Sequence, residues 1–374
     1  MTAGTITMLA VGDIILRLPD AESYFEFTAP VLKSADVTVG NLECVFTDRL
    51  EQTFSYTSSP PCDPKNMSAL PFAGFNVLTF AQNHMWDWGV PGMEDTITGV
   101  QKYGITIAGA GMNIDEARKP AIIERNGTRF GFLNYNCVGP EAGWATRDKP
   151  GCAYVRILTH HEPPVRNRPP APYTFAEVAS QQEMVEDIRE LRPLCDVLVV
   201  ALHKGILHKP AELAMYEQPL SYSAIDAGAD LVLGHHAHIC KGIEQYKGKV
   251  IFHNLGNFVS VSNVHVNPQT ERLKQLTENM KAMFEPVDLA IYPWHPESVY
   301  TMIAKCTIDD GKITRVSYLP CLVNKQGKPE VLKNDERGQE VFNYIDKITK
   351  QAGLNAQYKW EGDEIVIDTS LSTY

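Results

Sequence analysis

Seven short runs rich in valine, isoleucine, leucine and phenylalanine constrain the fold of this chain most. They cover residues 6–12, 35–41, 75–81, 130–136, 196–203, 230–236 and 249–258. Runs this short and this continuous are typical of strands that a sheet buries on both faces. Amphipathic helical patterns between several of them lie at 91–103, 180–193 and 212–227. This alternation of strand and helix predicts an α/β fold.

Side chains that can bind metal ions follow five of the apolar runs. In an open α/β sheet the loops at the carboxyl ends of the strands converge, and functional sites collect there. Carboxylates, imidazoles and an amide oxygen together suit a pair of Mn, Fe or Zn ions rather than a structural zinc. The candidate ligands are Asp13, Glu43, Asn83, His203, His236 and His238.

The charge balance excludes several classes of partner. The chain has 34 lysines and arginines against 45 aspartates and glutamates, and a net charge of −11 argues against nucleic acid or an anionic membrane surface as a partner.

No run approaches the roughly 18 apolar residues of a membrane span. The N-terminus lacks the basic start of a secretory signal, and the cysteines form no C-x-x-C pair. We therefore expect a reduced, cytoplasmic protein.

No linker divides the chain cleanly, so we expect one domain built from two parts. Residues 1–260 would form its core. Residues 261–374 would complete the same domain with a cap segment over 262–298, a hairpin, a helix over 337–352 and a short strand over 364–368.

Three local patterns predict finer features. Ser180 followed by Glu183 indicates a capping box at the start of a helix. The turn Asp309-Asp310-Gly311 between two β-rich runs indicates the hairpin. The Pro-rich segment 158–175 predicts an irregular insertion, which is either a lid or a plain surface excursion.

Six blocks of the sequence resemble the motif series of the CapA family. They are GDIIL (12–16), ADVTVGNLE (35–43), GFNVLTFAQNHMWDWG (74–89), LHKG (202–205), AIDAGADLVLGHHAH (224–238) and GKVIFHNLGNF (248–258). The family is named for poly-γ-glutamate capsule biosynthesis and belongs to the calcineurin-like metallophosphoesterase-type proteins. The chain beyond these blocks resembles it more loosely.

The resemblance implies a four-layer α/β/β/α sandwich of two mixed sheets that holds a two-metal centre. It gives all six candidate ligands a metal-binding role, with Glu43 as the bridge between the ions. His84 would contact the substrate or protonate the leaving group, and Asp87 would orient His84. The chain departs from the pattern at Ile15, where metallophosphoesterases usually have a histidine.

Together these features predict a soluble metal-dependent hydrolase. It would hold two divalent ions, with Mn expected and Fe or Zn as alternatives. A bridging hydroxide would attack a small anionic substrate that carries a phosphate or a carboxylate. We expect substrate-binding roles for Lys204, Asn41, Trp88, His235 and Asn257.

Two other functions stay open. Ile15 in place of the histidine, and the tryptophans near the site, favour metal-dependent lyase, isomerase or epimerase chemistry next to a carboxyl or carbonyl group. The second alternative is a non-catalytic protein of poly-γ-glutamate or capsule assembly. The sequence is also compatible with a homo-oligomer.

Overall fold

The structure is a computed structural model that describes residues 4–50, 59–162, 172–268 and 271–369. Its strands are β1 (Ile6–Leu16), β2 (Val37–Leu42), β3 (Val77–Thr79), β4 (Thr106–Ala108), β5 (Ala110–Gly111), β6 (Ala121–Arg125), β7 (Thr128–Asn136), β8 (Gly151–Cys152), β9 (Ile157–His161), β10 (Pro172–Ala176), β11 (Val197–Lys204), β12 (Leu231–His236), β13 (Cys240–Tyr246), β14 (Lys249–Leu255), β15 (Asn257–Val261), β16 (Tyr300–Asp309), β17 (Lys312–Val323), β18 (Pro329–Val331), β19 (Tyr358–Glu361) and β20 (Glu364–Ile367). Its α-helices are α1 (Ala29–Lys33), α2 (Ala69–Ala73), α3 (Gly89–Lys102), α4 (Ile114–Arg118), α5 (Val178–Leu191), α6 (Glu217–Ala227), α7 (Glu271–Met283) and α8 (Glu336–Gln351).

The larger sheet has ten strands and is organised around β1. Its order is β19-β20-β17-β16-β1-β2-β3-β4, with β15 beside β1 and β18 beside β17. β1 runs parallel to β2 and β15 and antiparallel to β16. The first half of β1 pairs with β16 and the second half with β15. Because β1 and β2 also pair in parallel, their carboxyl ends lie side by side.

The smaller sheet has six strands in the order β13-β14-β12-β11-β7-β6. The four central strands are parallel, and the edge strands β13 and β6 are antiparallel to their neighbours. Both sheets are therefore mixed, as predicted. The carboxyl ends of β11 and β12 lie next to each other, in register from Val199 with Leu231 to Lys204 with His236.

The two sheets face each other across a shared apolar core. Met8 of β1 and Val199 of β11 are both buried in it. On the outer face of the larger sheet, helices α1 to α3 bury residues such as Leu70. On the outer face of the smaller sheet, α5 and α6 bury Ile188 and Leu220. The result is the predicted four-layer α/β/β/α sandwich.

The predicted capping box at Ser180 is wrong. Helix α5 begins at Val178, so Ser180 lies inside its first turn. The Ser180 hydroxyl accepts a hydrogen bond from the Arg156 backbone N at 3.0 Å and donates to the Glu177 carbonyl at 3.3 Å. Ser180 therefore ties the helix to the preceding loop instead of capping it.

Two other segments differ from the prediction. Helix α6 begins at Glu217 rather than at residue 212, because the Glu217 carboxylate accepts a hydrogen bond from the Ala214 backbone N at 2.7 Å and holds a turn before the helix. The Pro-rich insertion is not irregular at its flanks, where β9 and β10 pair as antiparallel strands. The β-prone sequence Tyr173-Thr174-Phe175 explains this pairing, and residues 163–171 lie outside the described residues.

The predicted hairpin is confirmed. Strands β16 and β17 pair from Tyr300 with Leu322 to Asp309 with Lys312. Asp310 and Gly311 both have positive φ, 48° and 72°, which is the geometry that a two-residue turn between twisted strands requires. Among the described residues, no helix is both long and apolar enough to cross a bilayer.

Candidate metal centre

The carboxyl ends of strands from both sheets bring the six predicted ligands together. In the larger sheet, Asp13 lies within β1, Glu43 directly follows β2, and Asn83 lies in the loop after β3. In the smaller sheet the positions are His203 in β11, His236 at the end of β12 and His238 two residues later. The site is therefore built between the two sheets.

Two groups of candidate ligands share Glu43. One group is Glu43, His203 and His236, and the other is Asp13, Glu43 and His238. Within each group, the ligand atoms all lie within 4.8 Å of one another. A carboxylate common to two such groups is the arrangement expected of a ligand that bridges two cations.

Asn83 joins the first of these groups. Its Oδ1 lies 2.6 Å from His203 Nε2 and 3.3 Å from His236 Nδ1. The amide oxygen thus points at the same space as the two imidazoles, and it is a neutral ligand that suits Mn or Fe as well as Zn.

The surroundings of Glu43 fit a bound cation. The side chain is buried, and both of its oxygens lack a hydrogen-bond partner among the described residues. His203 Nε2 and His238 Nε2 lie 3.4 and 3.5 Å from Oε1, which is close without hydrogen-bond geometry. Burial and the charge of Asp13 raise the pKa of Glu43 well above its usual range. A buried carboxylate without a partner is costly, and a divalent ion bound here would supply the missing positive charge.

The other ligands are in the protonation states that bind metals. Burial and the neighbouring imidazoles hold the pKa of His203 well below its usual range. Burial and His238 lower the pKa of His236 to about 3. Burial alone would raise the pKa of Asp13, but His235 and His238 outweigh it and lower that pKa. Neutral imidazoles beside an ionised carboxylate are the forms that coordinate a cation.

The backbone is strained where it presents the histidine pair. His236 and His238 have φ values of 91° and 54°, a region that side chains other than glycine rarely adopt. The His236 backbone N lies 3.3 Å from Asp13 Oδ2 and donates to it, which ties this turn to the opposite sheet. Gly12 allows the sheets to approach, because a Cβ there would lie 1.9 Å from the Gly256 carbonyl oxygen.

His84 and Asp87 form a separate pair at the mouth of the site. His84 Nδ1 lies 2.8 Å from Asp87 Oδ2. The side chain of His84 is 18% exposed, whereas those of Glu43 and His203 are fully buried. His84 directly follows Asn83, whose Oδ1 lies 2.6 Å from His203 Nε2, so the pair is next to the candidate ligands. This is the geometry of an orienting carboxylate and a proton donor that solvent and substrate can reach.

Two predicted substrate-binding residues orient metal ligands instead. The Asn41 Nδ2 donates to Asp13 Oδ1 at 2.9 Å, and its Oδ1 accepts from the Thr79 hydroxyl at 2.9 Å. Asn257 Oδ1 lies 2.9 Å from His238 Nδ1, which leaves Nε2 of that ring for the cluster. Both asparagines are fully buried with their amides engaged, so we correct the expectation that they contact substrate.

The expectation for Lys204 is also corrected. Alternation along β11 turns His203 toward the site and Lys204 to the opposite face, against the helices. Lys204 is fully buried, and its Nζ donates to Glu217 Oε2 at 3.3 Å and to His253 Nδ1 at 3.0 Å. Its charge is neutralised inside the fold and does not face an anionic substrate.

His235 and Trp88 are the remaining two predicted substrate contacts, and their surroundings differ. His235 is buried, and its Nδ1 lies 3.5 Å from Asp13 Oδ1, behind that ligand. Trp88 precedes α3, is half-buried, and donates from Nε1 to the Ser59 carbonyl at 3.1 Å. His235 Nδ1 is thus close to Asp13 without a hydrogen-bond partner among the described residues, and the Trp88 nitrogen is committed to the backbone.

Arg17 is a charged residue close to the candidate site in the chain, and no role was predicted for it from the sequence. It is half-buried directly after β1, and its Nε donates to the Pro60 carbonyl at 3.2 Å. Its charge acts to lower the pKa of Glu43 and of His238. Among the described residues it forms no ion pair with a carboxylate. Its position four residues after Asp13, directly after the same strand, was the available signal.

Fold and site together define a class: an α/β/β/α sandwich with a buried cluster of carboxylate, imidazole and amide groups between its sheets. A family model described as "Bacterial capsule synthesis protein PGA_cap" matches residues 3–262. The chain belongs to this family.

The relatives include proteins named for capsule biosynthesis. The chain is 28% identical over 332 residues to the PGA biosynthesis protein CapA of Bacillus subtilis, covering 83% of this chain and 80% of that protein. It is 27% identical over 317 residues to the capsule biosynthesis protein CapA of Bacillus anthracis, covering 80% and 71%. A crystal structure of the calcineurin-like phosphoesterase YfkN from Bacillus subtilis aligns with a TM-score of 0.41 and 14% identity, over 93% of this chain and 98% of that one.

Proposed function

We propose that this chain is a metal-dependent hydrolase of small anionic substrates that carry a phosphate or a carboxylate. The observation that carries the proposal is Glu43, a buried carboxylate that two ligand groups share and that has no hydrogen-bond partner among the described residues. Two divalent ions bound there would lower the pKa of a bound water and polarise the electrophilic centre of the substrate.

His84 supplies the proton that the departing group needs. The Asp87 carboxylate accepts a hydrogen bond from Nδ1 and stabilises the charged imidazolium, which then donates from Nε2. The partial exposure of His84 lets this nitrogen meet a substrate that lies over the buried ligands.

Arg17 attracts and orients the anionic substrate. A guanidinium presents a planar fork of donors that matches a carboxylate or a phosphate. Because no described carboxylate pairs with it, this charge is available to a ligand. Arg17 takes the role that the sequence suggested for Lys204.

The test combines metal analysis with a substrate panel. The protein is loaded separately with Mn(II), Fe(II) or Zn(II), and bound metal is measured by mass spectrometry. The panel contains 4-nitrophenyl phosphate, bis(4-nitrophenyl) phosphate and γ-glutamyl-4-nitroanilide. We expect metal-dependent release of the chromophore that is lost in Glu43→Gln and His84→Ala and retained in the control Glu278→Gln, an exposed position on α7.

Other outcomes would replace the proposal. Metal-loaded protein that incorporates solvent deuterium into a carboxylate substrate without cleaving it would indicate lyase, isomerase or epimerase chemistry. The names of the relatives support a second candidate, a non-catalytic role in poly-γ-glutamate assembly. Binding of poly-γ-glutamate that is unchanged in Glu43→Gln, with no turnover of the panel, would favour that role.

A further inference from the structure

Four aromatic side chains outside the ligand set form a connected cluster beside His238, which two of them contact, and we call the four the aromatic wall. They are His208, Phe284, Trp294 and His295. The Trp294 ring stacks on His238 with centroids 4.1 Å apart and an angle of 28° between planes. His208 lies 6.1 Å from the same imidazole, at 26°. The wall is thus continuous with the candidate metal centre.

The wall is assembled from three separate parts of the chain. His208 lies in the turn after β11, Phe284 directly follows α7, and Trp294 with His295 precedes β16. The edge of Phe284 meets His208 at 4.8 Å and His295 at 5.1 Å between centroids. Two segments that the sequence left without a role, the turn after β11 and the cap segment, therefore converge here.

Backbone contacts hold the rings in place. The His208 backbone N donates to the Ala237 carbonyl at 2.9 Å, which fixes His208 to the turn between the two ligand histidines. Trp294 Nε1 donates to the Ser260 carbonyl at 2.6 Å, and the Ser260 hydroxyl donates to the Asp13 carbonyl at 2.9 Å. The indole is therefore linked to a metal ligand through one intervening residue.

The wall is not closed off as ordinary core. All four side chains are only half-buried. His208 Nδ1 is shielded from water and has no hydrogen-bond partner among the described residues. Aromatic faces that stay partly open beside a metal ligand favour stacking with a planar group.

We propose that the aromatic wall is a substrate-binding subsite that takes an aromatic group, joined to the anionic group that reacts at the candidate metal centre. The inference rests on the proposed function for the position of the anionic group. The anionic part of the substrate would lie toward Arg17 and the candidate ligands, and the aromatic part would pack against the wall. The substrate class is therefore an aryl-bearing phosphate or carboxylate rather than a purely polar one.

The test compares two non-hydrolysable ligands that differ in the aromatic group. Phenylphosphonate and methylphosphonate are titrated into the Mn(II)-loaded protein by calorimetry, and phenylacetate and acetate form the carboxylate arm. We expect the phenyl ligand to bind about tenfold more tightly than the methyl ligand, which corresponds to about 1.4 kcal/mol. The arm with the larger preference identifies the anionic group.

Variants of the wall decide the outcome. Phe284→Leu should bring the ratio of affinities near one while leaving methylphosphonate affinity unchanged, and Trp294→Leu should lower the same ratio. The control Phe175→Leu removes an exposed ring from β10, away from the site, and should keep the full preference. Phe284→Leu keeps the proposal testable if Trp294→Leu fails to fold.

The failure of this inference is distinct from failure of the proposed function. Equal affinity for phenyl and methyl ligands in the unmodified protein, or a preference that survives both variants, would overturn the subsite. A wall-dependent preference in a protein that cleaves none of the substrate panel would uphold the subsite and reject the hydrolase.

Discussion

Asp87 Oδ2 lies 2.8 Å from His84 Nδ1, three residues earlier in the same loop, while the metal ligands lie deeper between the sheets. The pair can therefore be altered without removing a ligand. We expect His84→Ala to lower kcat about 10²- to 10⁴-fold, the usual range for a lost acid or base. Asp87→Asn should lower kcat less, about 10- to 100-fold, because it only misorients the ring. Steady-state kinetics together with unchanged metal content check both, and a His84→Ala variant with full kcat would reject the assignment.

Glu43→Gln should separate metal binding from folding. The amide removes the bridging carboxylate, so bound metal should fall to one ion per chain or fewer. The metal-free variant should unfold at the same temperature as the metal-free parent or higher, because Glu43 makes no hydrogen bond among the described residues that the amide would lose, and the amide cannot ionise. Mass spectrometry and thermal unfolding with and without Mn(II) measure the two effects. A lower Tm without metal would show that Glu43 has a structural partner.

Arg17→Gln should weaken substrate binding without weakening the fold. Losing a charge-assisted contact to the anion should raise KM about tenfold. The free energy of unfolding should change by less than about 0.5 kcal/mol, because Arg17 forms no ion pair among the described residues. Kinetics and urea unfolding measure the two quantities. An unchanged KM would remove Arg17 from the site.

Lys204→Met should weaken the fold more than it weakens substrate binding, the reverse of what we expect for Arg17→Gln. Lys204 and Glu217 are both fully buried, and removing one partner of such a pair costs about 3 kcal/mol. Lys241 Nζ stays 3.7 Å from Glu217 Oε1 and compensates part of the loss. The change in KM, converted to a free energy, should be smaller than the change in the free energy of unfolding. Urea unfolding and kinetics on the same preparation test this, and a large rise in KM at full stability would restore Lys204 as a substrate contact.

Asp230 should make stability depend on pH in the acid range. Burial alone would raise its pKa, but hydrogen bonds from Lys249, the Leu198 backbone and Arg192 outweigh it and lower the pKa below 3.8. The ionised carboxylate therefore stabilises the fold above the unfolded pKa, and this contribution is lost as pH falls through the folded pKa. Asp230→Asn should lower the free energy of unfolding by about 1–3 kcal/mol at pH 7. The difference from the parent should shrink below about pH 4, as urea unfolding at several pH values would show.

Strand positions and ligand types could be read from the sequence, because both depend on local patterns. The runs that become β1, β11 and β12 are continuous and apolar, and the polar residues at their ends mark the site. The roles of neighbouring residues could not be read so directly. Lys204 follows His203 in the chain, yet alternation along the strand places the two side chains on opposite faces of the sheet. Being adjacent to a candidate ligand in sequence therefore did not predict a place in the site.

Asn41 and Asn257 illustrate a second limit. Asn41 lies two residues before Glu43, and Asn257 lies in the last of the six sequence blocks. These positions suggested that both asparagines contact the substrate. Their amides hydrogen-bond to Asp13 and His238 across strands, and such pairing depends on register between segments far apart in the chain. The aromatic wall could not be predicted as a unit for the same reason, since its members come from three segments that only the folded chain brings together.

The hydrogen bonds from Trp294 to Ser260 and from Ser260 to Asp13 fix the separation between the aromatic wall and the metal ligands. Asp13 belongs to β1, which the larger sheet pairs on both sides, so this end of the link is held in place. If the wall binds the ring of a substrate, we expect a preference for one length between the ring and the reacting group, and homologous aryl ligands lengthened by single methylenes would measure that preference.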